Sequence, residues 1–249
     1  MTSKKSRLSR AARLARRIPS TSSDPARIVV TGRRDGYTGR VPFPFLGGTT
    51  VEAESIVEHD FLIQTSALER DVVEISAQPS TLYPKDGGPW TPDFLIRRRD
   101  GSAELVEVKT LKWVYPANPK KRAARLTRID QFGEASARAG FKFRLVTEEE
   151  IRVEPRLYNA RLLLRYAGDA LSPLLVNQGS EALIGLPPSS SIEAFQARLG
   201  TEIDAFPIAL HLAWRGAIVI DPTQPFARSS RFRKSTQTGP VSVHGEYNG

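Results

Sequence analysis

Hydrophobic positions along this chain recur with a period that changes from block to block, and the changes mark out elements. From Glu54 to Leu68 the run ESIVEHDFLIQTSAL sets Val57, Phe61 and Leu68 near one face of a helix. VVEIS then reads as a short strand ended by Gln78-Pro79, because proline has no N–H to give a ladder, and Thr81 to Tyr83 can resume it. KDGGP has the composition of a turn. TPDFLIRR and AELVEVKT are strand-like runs joined by Asp100-Gly101, a pair suited to a hairpin turn. NPKKRAARLTRIDQFGEASARAG predicts a helix that buries Leu126, Ile129 and Phe132, and FKFRLV alternates as a strand after it. The order helix, strand, hairpin, helix, strand predicts an α/β unit with a mixed sheet flanked by helices.

A second unit is expected from about Arg152. RLYNARLLLRYAG reads as a helix, followed by an irregular stretch up to Pro187-Pro188, two short helices around SIEAFQARLG and DAFPIALHLAWRG, and AIVID as a strand. That pattern is compatible with a small, mainly helical, winged-helix-like module. The expected organisation is a basic arm over 1–42, the α/β domain over 43–152, the helical domain over 153–226, and a flexible basic tail over 227–249.

Composition narrows the function classes. The 249 residues include no cysteine, which excludes disulfides, thiolate zinc sites and a cysteine nucleophile. The formal charge is +9, from 36 Lys and Arg against 27 Asp and Glu, so an anionic partner such as a phosphate backbone is favoured. The basic residues gather near the N-terminus, over Lys120, Lys121, Arg122, Arg125 and Arg128, and near the C-terminus. No apolar run approaches the roughly 20 residues that cross a bilayer, and no signal peptide stands at the N-terminus, so a cytoplasmic protein without a membrane partner is expected.

Candidate chemistry lies in WTPDFLIRRRDGSAELVEVKT. Glu107 and Lys109 are two apart on one predicted strand and share a face, and pairing across the Asp100-Gly101 turn brings Asp93 close to Glu107. Two carboxylates suit a hard divalent cation bound through oxygen, with the Val108 carbonyl as a further ligand and magnesium, or manganese in its place, as the ion. Such an ion acidifies water and neutralises charge at a phosphate, while a lysine orients the nucleophile. Glu58 completes the site from the preceding helix, as a metal ligand or as the base that positions water. The basic run from Lys120 to Arg128 follows this strand and is expected to contact DNA phosphates.

The ordered series ESIVEHDFL, VVEISAQP, TPDFLI, LVEVKT and FRLVTEEEI, with RLYNARLLL after it, resembles the nuclease domain of TnsA-like endonucleases, within the PD-(D/E)xK superfamily. The likeness covers about Thr50 to Leu164. It implies a restriction-endonuclease-like fold, with the family's acids on Glu58, Asp93 and Glu107, its lysine on Lys109, and a supporting glutamine at Gln78. It also implies magnesium-dependent cleavage of double-stranded DNA at the 5′ ends of a transposon, beside a DDE-type transposase subunit and an AAA+ regulator ATPase, in the bacterial cytoplasm and on the nucleoid when assembled. Glu54 remains an alternative to Glu58 as the helix acid.

Other readings compete. A standalone restriction or repair nuclease would use the same residues, and a DNA-binding assembly module would carry them as structure alone. His59-Asp60 is better read as structural than as a metal-phosphohydrolase dipeptide, since only His211 and His244 could add histidine ligands. Trp90, Trp113 and Trp214 are read as packing or rim residues.

Overall fold

The computed structural model of the chain describes residues 38–235. It opens with an antiparallel hairpin of β1 (Gly39–Phe43) and β2 (Thr49–Ala53). Its turn passes through Gly47 and Gly48, whose φ of 65° and 77° suit residues without a Cβ. β1 lies across the expected limit of the basic arm at residue 42, and the remainder of that arm, 1–37, is outside the described residues. Helix α1 (Ile56–Leu68) follows, started by Ser55 as its N-cap.

Strands β3 (Val72–Ala77), β4 (Phe94–Arg98), β5 (Ala103–Lys109) and β6 (Lys142–Thr147) form a sheet in that order. β3, β4 and β5 run antiparallel, while β6 pairs parallel to β5, so the sheet is mixed. The turn between β4 and β5 carries Gly101 at φ 82°, a left-handed position that suits glycine. Between β5 and β6 lie the short α2 (Leu111–Val114) and the long α3 (Pro119–Arg138).

Strand alternation assigns each sheet residue to a face. Ile75, Phe94, Ile96, Val106 and Val108 enter the main core, where Phe61 of α1 stacks on Phe94 at 5.5 Å. Leu95 and Leu105 point the other way and pack with Trp90 and Phe132 of α3. The protein is therefore mixed α/β, with helices on both faces of a mixed sheet. On α3 only Phe132 of the three apolar residues expected inside is buried; Leu126 is 38% exposed and Ile129 intermediate. Ala135 and Ser136 complete the buried stripe near the helix end.

After β6 come α4 (Glu148–Ile151), α5 (Arg156–Arg165), α6 (Pro173–Ile184), β7 (Ser189–Ser191), α7 (Ile192–Leu199), α8 (Ala205–Trp214), β8 (Ile218–Ile220) and β9 (Arg231–Lys234). The last three strands form a small antiparallel sheet ordered β7-β9-β8. Two expectations are corrected here. The stretch expected to be irregular holds α6, and the expected tail holds β9, with Phe232 at 1% exposure in the core. Residues 236–249 are outside the described residues.

The expected boundary at 152/153 is not a break in packing. Asp60 on α1 is buried between Arg152, at 2.9 Å, and Arg161 on α5, at 2.7 Å. Asn159 of α5 in turn donates to the carbonyls of Pro222 and Gln224 and accepts from the Phe226 N–H. One hydrophobic cluster runs from Val41 to Phe232.

Candidate active site

Three of the four expected side chains meet at the open end of the β4–β5 hairpin, and the fourth, Glu58, lies within the field of their charge. Phe94 pairs with Val106, so Asp93 just before β4 faces Glu107 across the ladder, on the α3 side of the sheet. Asp93 Oδ2 accepts the Val108 N–H at 2.7 Å and a proton of Lys109 Nζ at 3.2 Å. Lys109 Nζ also lies 2.8 Å from Glu107 Oε1 and donates to the Val108 carbonyl at 3.1 Å. Two carboxylates and one main-chain carbonyl thus converge on a single ammonium.

Glu58 reaches the site from the first turn of α1. Its Oε2 accepts the Glu54 N–H at 2.8 Å and its Oε1 the Ser55 hydroxyl at 2.9 Å, while its own N–H donates to Ser55 Oγ at 3.1 Å. Ser55 thus caps the helix while the Glu58 carboxylate reaches back to the N–H of Glu54, which fixes the carboxylate in the field of the other charges. Glu54 precedes the N-cap and so stands outside the helix, so Glu58 is the helical acid. Glu54 still contributes charge, because it pushes against ionisation of Asp93.

The electrostatics of the set follow from burial and charge. Burial raises the pKa of Glu58, and the charge on Asp93 acts in the same direction. Burial likewise raises Asp93 against the opposing pull of Lys109. Glu107 is pushed up to about 7, first by burial and then by Asp93. For Lys109 burial works against the charge, yet Asp93 and Glu107 outweigh it and hold the ammonium above the ordinary lysine range. Burial is the first cause of the acids' upward shifts, and mutual repulsion adds to it at Glu58 and Glu107, while the same acids hold the lysine charged. Fully ionised, three carboxylates against one ammonium leave a net charge of −2, the complement of one divalent cation.

No family model and no curated protein matches this chain.

The residues present fit a hard divalent ion. Asp93, Glu107 and the Val108 carbonyl offer oxygen alone, as magnesium prefers, and the Lys109 ammonium marks the point where they converge. Among the described residues no three His, Cys, Asp or Glu side chains are gathered as a metal cluster. The third oxygen here is main-chain, and both carboxylates are engaged with the lysine.

Gln78 supports the site through its backbone. It is buried, it sits at φ 47°, where a side chain is disfavoured, and its N–H donates to the Asp93 carbonyl at 2.9 Å. The basic helix divides into two groups. Lys120, Lys121, Arg122 and Arg125 are exposed on α3, with Arg125 4.3 Å over the Trp113 ring and Arg122 donating to the Pro116 carbonyl. Arg128 instead donates to the Gly88 carbonyl at 2.7 Å and lies over Phe132 at 4.7 Å, which commits it to the turn before β4.

Trp90 was not singled out by its spacing. It is buried, and its indole N–H donates to Glu107 Oε2 at 2.8 Å. Only its place three residues before Asp93 hinted at such a contact. His59-Asp60 is structural, with Asp60 held by Arg152 and Arg161, and His211 is buried with its Nδ1 2.7 Å from the Tyr166 carbonyl. His244 is outside the described residues.

Proposed function

We propose that this chain is a magnesium-dependent DNA endonuclease of the PD-(D/E)xK type, serving as the TnsA-like subunit that cuts the 5′ ends of a transposon. The observation that carries the reading is the convergence of Asp93, Glu107 and the Val108 carbonyl on Lys109 at the head of a hairpin, with Glu58 in the field of their charge. Asp93, Glu107, the Val108 carbonyl and Glu58 would hold the ion. When bound, magnesium supplies Lewis-acid stabilisation of phosphate oxygens and lowers the pKa of water.

The protein's own groups do the rest. Lys109 stays charged, orients the attacking water and offsets charge developing at the phosphate. Glu58, whose burial raises its pKa above the ordinary carboxylate range, is the better proton acceptor for it and is suited to the role of base. Lys120, Lys121, Arg122 and Arg125 face solvent on α3 and supply phosphate contacts that set the register of the duplex.

The C-terminal order of helix, strand, helix, helix, strand, strand, with sheet order β7-β9-β8, supports the winged-helix reading. The third helix of such a unit, α8, buries Ala205, Ile208, Ala209, Leu210, His211, Leu212 and Trp214, and none of its residues is exposed. A helix enclosed in this way cannot enter a major groove, so the unit is assigned to packing and protein contact rather than to base reading. The DDE-type transposase and the AAA+ regulator are the partners this reading implies. A cytoplasmic, nucleoid-associated location belongs to it, and among the described residues no helix is long and apolar enough to cross a membrane.

The test is metal-dependent nicking by the full chain and by its Asp93→Ala and Lys109→Ala variants, with folding checked by circular dichroism. Loss of nicking in both folded variants supports the reading, and unchanged cleavage in both overturns it. The ion pairs that already engage Lys109 favour a second reading, a DNA-binding assembly module with a structural acidic site. Calorimetry that finds neither magnesium nor manganese binding, together with salt-sensitive DNA affinity, would establish that alternative.

A further inference from the structure

Glu107 has two oxygens with different neighbours. Oε1 faces Lys109 at 2.8 Å, and Oε2 accepts the indole N–H of Trp90 at 2.8 Å. An indole N–H can only donate, so it cannot exchange roles with the carboxylate as a hydroxyl or an amide could. The terminal torsion of a glutamate is otherwise broad, and a buried carboxylate on one salt bridge alone could rotate away from the site.

The indole is itself fixed. It stacks on Phe132 at 4.2 Å with 11° between planes, and it meets the edge of Phe143 at 5.7 Å. Its main-chain N–H and C=O both pair with Leu82. Arg128 fastens the preceding turn by donating to the Gly88 carbonyl. The indole therefore presents its N–H from a packed aromatic cluster on the α3 face of the sheet.

We propose that Trp90 is the positioning residue for Glu107, its indole N–H holding Oε2 so that Oε1 stays turned toward Asp93, the Val108 carbonyl and the cation they bind. This rests on the reading of Glu107 as a metal ligand. Hydrogen-bond partners of metal ligands typically change metal affinity by about 10- to 100-fold when removed. Trp90→Phe deletes the donor and keeps most of the stacking.

Two measurements on the full chain test the assignment. In a spectrum labelled at tryptophan nitrogen, three indole signals are expected, from Trp90, Trp113 and Trp214, assigned by single Phe substitutions. Glu107→Gln should displace the Trp90 signal and leave that of Trp214 in place; an unmoved Trp90 signal overturns the contact. In calorimetry with manganese, Trp90→Phe should weaken affinity by about tenfold. Trp214→Phe, which removes a buried N–H with no partner among the described residues, should leave affinity unchanged. Unaltered manganese affinity in folded Trp90→Phe overturns the positioning role. If Trp90→Phe does not fold, a tryptophan analogue with sulfur in place of the ring N–H at position 90 removes the donor alone. Should the unmodified protein bind no manganese, the nuclease reading fails, and the indole shift by itself decides whether Trp90 holds Glu107.

Discussion

Asp93 is fastened to the neighbouring strand by the Val108 N–H, which donates to its carboxylate at 2.7 Å. One residue thus offers a carbonyl to the site while its amide anchors an acid of the same site. Replacing Asp93 by alanine leaves that buried N–H unpaired, at a cost of about 1–3 kcal/mol. Asp93→Asn keeps an acceptor in place. Thermal unfolding should therefore rank Asn above Ala in stability, while calorimetry finds magnesium binding lost in both. Equal stability of the two variants would contradict the anchoring role.

Glu107 gives the metal-free protein a pH dependence of known sign. Its ordinary pKa of 4.5 is pushed up to about 7 in the fold, first by burial and then by Asp93. Between those values the folded chain holds a proton that the unfolded chain has released, so stability falls as pH rises from about 4.5 to about 7, on the order of 1–3 kcal/mol. Denaturant titrations should show this decline in the presence of a chelator. Glu107→Gln should make it shallower, since Glu58 and Asp93 are shifted the same way, and a slope as steep in that variant excludes Glu107 as a source.

Arg125 and Arg128 lie one turn apart on α3 yet should respond differently. Lys121→Ala and Arg125→Ala should weaken binding to any DNA sequence and shrink the slope of log affinity against log salt by about 1 per charge removed. Arg128→Ala should leave that slope alone and lower stability by about 0.5–1.5 kcal/mol, because the bond to the Gly88 carbonyl and the contact over Phe132 are lost. Identical salt slopes for Arg125→Ala and the unmodified protein would remove α3 from the DNA interface.

Asp60 is buried, whereas its partners Arg152 and Arg161 are 41% and 47% exposed in their side chains. Deleting the acid frees two arginines that water can solvate. Deleting both arginines leaves a buried carboxylate alone, which typically costs about 3–5 kcal/mol. The double arginine variant should therefore unfold more easily than Asp60→Ala, and the reverse order in chemical denaturation would contradict the cost assigned to the unpaired carboxylate.

How far the sequence could be read depended on whether a signal was local. The central hairpin was legible because the Asp100-Gly101 turn and the alternation around Asp93 and Glu107 are contained in one short segment. Helix α6 was not, since Gly179 counts against a helix interior when taken locally, although Ser172 and Pro173 give a start signal. A Cβ at Gly179 would lie 2.3 Å from Ile208 Cγ2, so the glycine answers to the close approach of α8. β9 was hidden in a similar way, for in RFRK only Phe232 turns inward and its partners come from β7 and β8. Leu126 misled in the opposite sense, because the buried stripe of α3 begins later along the helix. In the site, three acids and a lysine could be placed by parity and order, but the bond from Trp90 to Glu107 joins two strand regions and no periodicity announces it.

The turn at Gly101 also fixes how much change in length this chemistry can bear. Surface loops usually accept an inserted residue with little effect, but here the count between Asp93 and Glu107 decides which side chains face α3. One added residue in the pairing would send Val106 and Val108 to the α3 side and Glu107 and Lys109 into the packing beneath α1. The shortest connection in the sheet is thus the place where a small insertion would exchange an ionic cluster for an oily one.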